Sequence, residues 1–162
     1  MQVAIVKYNA GNIFSVECAL QRIGANAIIT DNKDIIMHAD KVIFPGVGEA
    51  SSAMQYLREN ELDTLIKSLT QPVLGICIGQ QLLCSHSEEG DVDCIGIFDA
   101  QVKRFISNND TDKIPHMGWN TIQVKENATL FQGISKEAYV YFVHSYYLKA
   151  KNMEDVAATA FY

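Results

Sequence analysis

The 162-residue sequence predicts an α/β domain, a mainly parallel sheet with helices on both faces and an added β segment. Three observations carry this. Short β-branched runs alternate with helical periodicity through the first half of the chain. Residues 72–76 (PVLGI) form an almost wholly apolar run of the kind that suits a strand buried on both faces. Beyond about residue 100 the texture turns strand-rich, with Asn/Asp-rich loops between the strands. With no repeat, low-complexity tract or linker, residues 1–162 read as one domain.

Residues 2–7 (QVAIVK) predict a strand, and Asn9-Ala10-Gly11 a turn. Apolar residues at Ile13, Val16, Ala19, Leu20 and Ile23 then mark an amphipathic helix closed by Gly24. Residues 27–29 and 41–44 predict the second and third strands, the latter ending at Pro45-Gly46. Helical periodicity from Ser51 to Ser68 reads as two helices with a break near Asn60. The strand at 72–76 leads into a helix near Gly79, and further strands are expected at 100–106, 119–124, 139–143 and 156–161. The last run resembles a core strand with no closing helix or polar tail, so the domain reads as interrupted there.

Composition narrows the function classes. At 48% hydrophobic and 20% charged residues, the chain is long enough to bury a core without disulfides or a structural metal. Its 13 Lys+Arg against 19 Asp+Glu give a net charge of −6, a poor balance for a polyphosphate backbone, so nucleic acid is not an expected partner. The amino terminus lacks a basic leader and no stretch approaches a membrane span. Cys18, Cys77, Cys84 and Cys94 show no C-x-x-C spacing, which argues against a zinc framework and fits a reducing cytoplasm. No cofactor or metal is expected.

The sharpest local signal is Gly75-Ile76-Cys77-Ile78-Gly79, a G-x-C-x-G element between the apolar strand and the helix that follows. The pattern is that of a nucleophile elbow: the sulfur sits at the tip of a strand-to-helix turn, and flanking glycines let neighbouring backbone pack closely. A helix amino terminus aimed at the sulfur favours the thiolate. The plainer alternative is a buried cysteine between two small residues. Pro45-Gly46-Val47-Gly48 follows the third strand, and parallel α/β folds bring such strand ends to one edge, beside Cys77. It contains neither a P-loop nor a G-x-G-x-x-G.

PGVG followed by GICIGQQLL resembles the glutaminase domain of class I glutamine amidotransferases. Residues 115–120 (PHMGWN) and 142–146 (FVHSY) are similar to segments of the glutaminase subunits of imidazole glycerol phosphate synthases. Residues 8–12 fit as well, although Lys7 stands where that family often has an acid. The resemblance spans residues 1–162. It implies a flavodoxin-like fold, incomplete at its carboxyl end, and hydrolysis of L-glutamine to glutamate and ammonia, with the ammonia passed to a TIM-barrel cyclase subunit in a heterodimer. Residue by residue, it implies Cys77 as nucleophile, with the oxyanion held by the Ile78 N–H and one from Val47-Gly48. Gln81 and Glu89 would hold the amino acid end of glutamine, the Ser145-Tyr146 backbone its opposite wall, and Asn12, Met117, Trp119 and Tyr141 the cyclase. On the residues alone, Glu89 equally reads as a solvated helix end, Gln81 as solvent-facing and Trp119 as core.

One departure stands out. The family completes its triad with a histidine and a glutamate from a Q-F-H-P-E-K-S-like motif that these 162 residues do not contain. His38 and His86 lie in polar surroundings, and His116 and His144 match motif positions other than the base, so the expectation is a glutaminase domain without its general base, the pair lying further on in the parent protein. The alternatives are another class I amidotransferase, a non-catalytic docking or regulatory subunit, and a related cysteine peptidase or chaperone.

Overall fold

The computed structural model describes residues 1–9, 12–107, 113–135 and 138–162. The first half alternates as the sequence predicts: β1 (Gln2–Val6), α1 (Ile13–Arg22), β2 (Asn26–Thr30), α2 (Lys33–His38), β3 (Lys41–Phe44), α3 (Ala50–Glu59), α4 (Leu62–Ser68), β4 (Val73–Gly75) and α5 (Ile78–Leu82). The strands form a parallel sheet in the order β2-β1-β3-β4. The order reverses between β1 and β3, and right-handed crossovers running in opposite directions from there put α1 on one face and α2 to α4 on the other. Alternation along the strands makes the main core: Ala4, Val6, Val42 and Phe44 face Ile36, Met54, Leu57, Leu62 and Ile66.

The second half adds β5 (His86–Ser87), β6 (Val92–Asp93), β7 (Ala100–Arg104), β8 (His116–Thr121), β9 (Gln123–Val124), β10 (Tyr139–His144), β11 (Tyr146–Ala150) and β12 (Ala158–Thr159). They make a four-stranded sheet, β11-β7-β5-β6, and two-stranded ribbons β10-β8 and β12-β9. Apart from the parallel pairing of β5 with β7, these are antiparallel.

Several expectations are corrected. The strand at 72–76 is not buried on both faces: β4 is the edge strand, which leaves Leu74 and Ile76 exposed. The predicted strand at 156–161 shrinks to Ala158–Thr159, with Phe161 and Tyr162 exposed. The helix α1 forms as its periodicity predicts but buries no residue fully. The helix α2 was absent from the sequence reading; it is capped by Asn32, whose side chain accepts the N–H groups of Asp34 and Ile35. The break near Asn60 does separate α3 from α4. In the expected turn, Ala10 and Gly11 lie outside the described residues.

Candidate active site

Register brings the two glycine motifs together. Phe44 pairs with Gly75, and the Ile76 N–H donates to the Phe44 carbonyl at 3.0 Å, so the chain leaves β3 and β4 side by side at one sheet edge. That edge is also the switch point beside β1, where doubly wound folds bind ligands. Glycines set how closely the corner packs. A Cβ on Gly79 would meet the Phe44 carbonyl oxygen, and one on Gly75 would lie 2.7 Å from Gln80 Cα. A Cβ on Gly46 would lie 2.3 Å from Ile78 Cγ2. At Gly75 and Gly79, where the obstacle is backbone, a larger residue would push α5 off the sheet, whereas at Gly46 it would displace the Tyr8 hydroxyl and the Ile78 side chain.

Cys77 caps α5 with φ 54° and ψ −119°, a backbone state that L-residues rarely occupy, and it is exposed. The strand-to-helix turn expected of an elbow is present, and it is so tight that Cys77 itself carries the strain. Because α5 has only five residues, the field at the sulfur comes from first-turn N–H groups rather than a long macrodipole. Among the described residues, the N–H groups of Val47, Gly48 and Ile78 have no acceptor within the protein. Gly48 takes φ 128°, open to glycine and little else. The other thiols contrast with Cys77: burial pushes Cys84 up to about 12 and Cys94 to about 11, which keeps both protonated and inert.

Sequence reading missed the clamp on this corner. The buried Tyr8 hydroxyl donates to the Pro45 carbonyl at 2.7 Å, and its ring packs on Phe44. Burial first, and the Cys77 sulfur second, raise its pKa, so it remains a donor. A polar tyrosine following an apolar strand was the available signal.

Of the remaining predicted residues, Gln81 lies on α5 itself. It is 8% exposed rather than solvent-facing, and its Oε1 has no donor among the described residues. Glu89 lies not at a helix end but in the turn between β5 and β6, half-buried, where burial and then the charge of Glu49 hold its carboxyl above the ordinary value. Glu88 pins that turn: its carboxylate accepts the Arg104 N–H at 2.7 Å and the Lys103 ammonium at 2.9 Å. Asp91 and Asp93 flank His86, each 3.2 Å from a ring nitrogen. Ser145 links β10 to β11, its carbonyl accepting the Phe105 N–H at 3.0 Å, while Tyr146 packs on the Cys84–Val102 cluster just beyond Gln81.

None of the four histidines serves Cys77. The Nδ1 of His38 meets the Asp34 carbonyl, His86 lies between its two aspartates, and the Nδ1 of His144 is 2.6 Å from the Tyr146 carbonyl. His116 is buried in a ring stack with Phe142 and Tyr162. Among the described residues there is no cluster able to hold a metal ion.

Met117, Trp119 and Tyr141 share one face of the β8–β10 ribbon, where Trp119 pairs with Tyr141 and Met117 with Val143. Trp119 is 69% exposed, which settles it as a surface rather than a core residue, and its ring meets Tyr141 edge-on at 5.4 Å. Asn12 is in left-handed conformation at the start of α1, its side chain accepting the Ser15 hydroxyl.

Comparison with known proteins supplies the family. The profile described as glutamine amidotransferase class-I matches residues 5–161. The chain belongs to the class I glutamine amidotransferase family. It is 61% identical over 148 residues to the imidazole glycerol phosphate synthase subunit HisH of Bacteroides thetaiotaomicron, covering 91% of this chain and 75% of that one. It is 47% identical to the HisH subunit of Idiomarina loihiensis over 90% of this chain and 72% of that one. A crystal structure of a glutamine amidotransferase superposes with TM-score 0.73 at 18% identity, covering 96% of this chain and 78% of the other. One from Thermotoga maritima gives 0.63 at 16%, covering 93% and 63%. At such identities the two structures speak for the amidotransferase fold alone.

Proposed function

We propose that this amidotransferase is the glutaminase subunit of an imidazole glycerol phosphate synthase, hydrolysing L-glutamine and delivering the ammonia to a cyclase subunit in the histidine pathway. The observation that carries the reading is Cys77 itself, exposed at φ 54° on the strand-to-helix turn, beside backbone N–H groups without acceptors.

The Cys77 thiolate attacks the carboxamide carbon and forms a C–S bond, while charge builds on the amide oxygen. The N–H of Ile78, with one from Val47-Gly48, holds that oxyanion, each such donor being worth about 3–4 kcal/mol in the transition state. Collapse expels ammonia and leaves a thioester, and water then releases glutamate. The buried Gln81 Oε1 accepts an N–H of the substrate, Glu89 takes its α-ammonium, and the Ser145-Tyr146 backbone forms the facing wall. The mechanism needs an imidazole oriented by a carboxylate to take the thiol proton, and the four histidines are engaged with other partners. Ammonia is largely protonated in water and then no nucleophile, so the glutaminase site works best docked on its acceptor. The exposed Met117, Trp119 and Tyr141 face, with Asn12, provides the cyclase contact, and the setting is the reducing cytoplasm, consistent with four free cysteines.

The test is covalent trapping. A glutamine-shaped chloromethyl ketone, whose chloride the thiolate displaces, is expected to add once, at Cys77 rather than Cys18, Cys84 or Cys94, with L-glutamine protecting. Labelling that glutamine does not slow would overturn the reading.

A further inference from the structure

Glu49 directly follows the Val47-Gly48 segment and caps α3. Its carboxylate accepts the N–H groups of Ser51 at 3.0 Å and Ser52 at 2.9 Å and the Ser51 hydroxyl at 2.8 Å. These bonds lower its pKa, so it is ionised at neutral pH. The β5–β6 turn lies directly against it: Gly90 takes φ 76°, and a Cβ there would stand 2.0 Å from Glu49 Oε1 and 2.7 Å from Ser51 Cβ. Glu89, one residue before, carries its carboxylate within reach of the Ala50 N–H and feels the Glu49 charge. Among the described residues, no lysine, arginine or histidine pairs with either carboxylate. On α5, which packs against α3, the buried Gln81 Oε1 is a further acceptor without a donor.

A Glu49 carboxylate fixed by its cap bonds against the turn that carries Glu89, with no cation of the protein among the described residues paired to either, matches a ligand that brings its own. We infer that Glu49 is a specificity-determining and positioning residue for the amino end of glutamine. Its charge adds to that of Glu89 in selecting an α-ammonium, and because Glu49 is covalently next to Gly48, occupancy of that amino subsite holds the oxyanion segment against the Glu89-Gly90 turn on which Glu49 already rests. The inference rests on the reading of Glu89 as the seat of the α-ammonium. It gives the oxyanion segment a second anchor, at its exit, opposite the Tyr8 clamp on Pro45.

The test compares the rates at which two chloromethyl ketones alkylate Cys77, one shaped like glutamine and one identical but lacking the α-amino group. Serine and aspartate are both good helix caps, so Glu49→Ser removes the charge while keeping a cap, and Glu49→Asp keeps both. The rate ratio, amino over des-amino, is the readout, because a purely structural defect slows both reagents alike. Wild type is expected to prefer the amino reagent, Glu49→Asp to hold that preference within about threefold, and Glu49→Ser to lose about tenfold of it. Glu89→Gln should abolish it. If Glu49→Ser keeps the wild-type ratio while Glu89→Gln loses it, the inference about Glu49 fails and the glutamine reading stands. Equal losses in Glu49→Ser and Glu49→Asp also overturn it. A wild-type ratio of one overturns the glutamine reading itself.

Discussion

The backbone of Gly79 rests on the carbonyl of Phe44, so closely that no side chain fits between them. This contact seats α5 on the end of β3 and so fixes where Cys77 stands relative to Val47-Gly48. Gly79→Ala must move a helix or a strand, neither of which is a flexible side-chain end. The expected loss is at or above the top of the usual range of about 1–3 kcal/mol for overpacking. Gly24→Ala, where the added carbon meets nothing and only φ +70° is strained, should lose about 1 kcal/mol. Urea unfolding of both variants measures the difference; equal losses would show that the elbow packing is looser than described.

The strain at Cys77 sets a second expectation. A non-glycine residue in this region costs about 1–3 kcal/mol, which Cys77→Gly relieves and Cys77→Ala does not. Both lose the sulfur and all trapping. After the greater chain entropy of glycine is allowed for, Cys77→Gly should be the more stable by about 1 kcal/mol. Thermal unfolding decides, and a less stable glycine variant would mean that the backbone is not strained there.

Much of this was legible in the sequence, because the signals are local. The strand–loop–helix alternation follows from β-branched runs and 3.6-residue periodicity, and the elbow from two glycines about a cysteine. What failed depended on neighbours that no local window contains. The apolar run at 72–76 forms a real strand, but its edge position, set by strand order, exposes Leu74 and Ile76. Gln81 and Glu89 resemble surface residues by type, but Gln81 lies on α5, packed between α3 and β4, and Glu89 on a turn that folds back on α3. Tyr8 and Glu49 escaped notice for the same reason, since their partners lie on other elements or depend on the turn of the chain at a helix start.

In its proposed role as seat of the α-ammonium, Glu89 would set stability and function against each other. Burial, and then Glu49, raise its folded pKa above the unfolded carboxylate value of about 4.3. The folded protein therefore holds the proton more tightly, and the stability this provides is complete below the unfolded value and lost as pH rises through the folded one. At neutral pH the ionised group is a net cost, so Glu89→Gln should unfold at a higher temperature than wild type, the gap closing below about pH 4. Glutamine protection of Cys77 should weaken on acidification in wild type, as Glu89 takes up its proton, and be weak at every pH in Glu89→Gln. A Glu89→Gln variant less stable at pH 7 would contradict this.

Trp119, the sequence's single tryptophan, reports directly on its own surface. Its exposure predicts red-shifted emission in the free subunit, moving to the blue when the cyclase subunit binds. Buried interface tryptophans are typically worth 2 kcal/mol or more, so Trp119→Ala should weaken that complex about thirtyfold. Folding stability should stay within about 0.5 kcal/mol of wild type. An unshifted emission in the complex would place the cyclase contact elsewhere.

The Tyr8 clamp gives the last expectation. Pro45 lacks an N–H of its own, and its buried carbonyl takes its one hydrogen bond among the described residues from the Tyr8 hydroxyl. Tyr8→Phe keeps the ring on Phe44 and leaves that carbonyl unpaired, a cost of about 1–3 kcal/mol. Because Pro45 begins the segment that carries Val47-Gly48, the loss is expected to fall on the alignment of the proposed oxyanion donors more than on glutamine binding. In the assembled enzyme kcat should drop about tenfold or more with KM little changed, since the donors act on charge that exists only in the transition state. A rise in KM at constant kcat would assign Tyr8 to binding the substrate instead of aligning the loop.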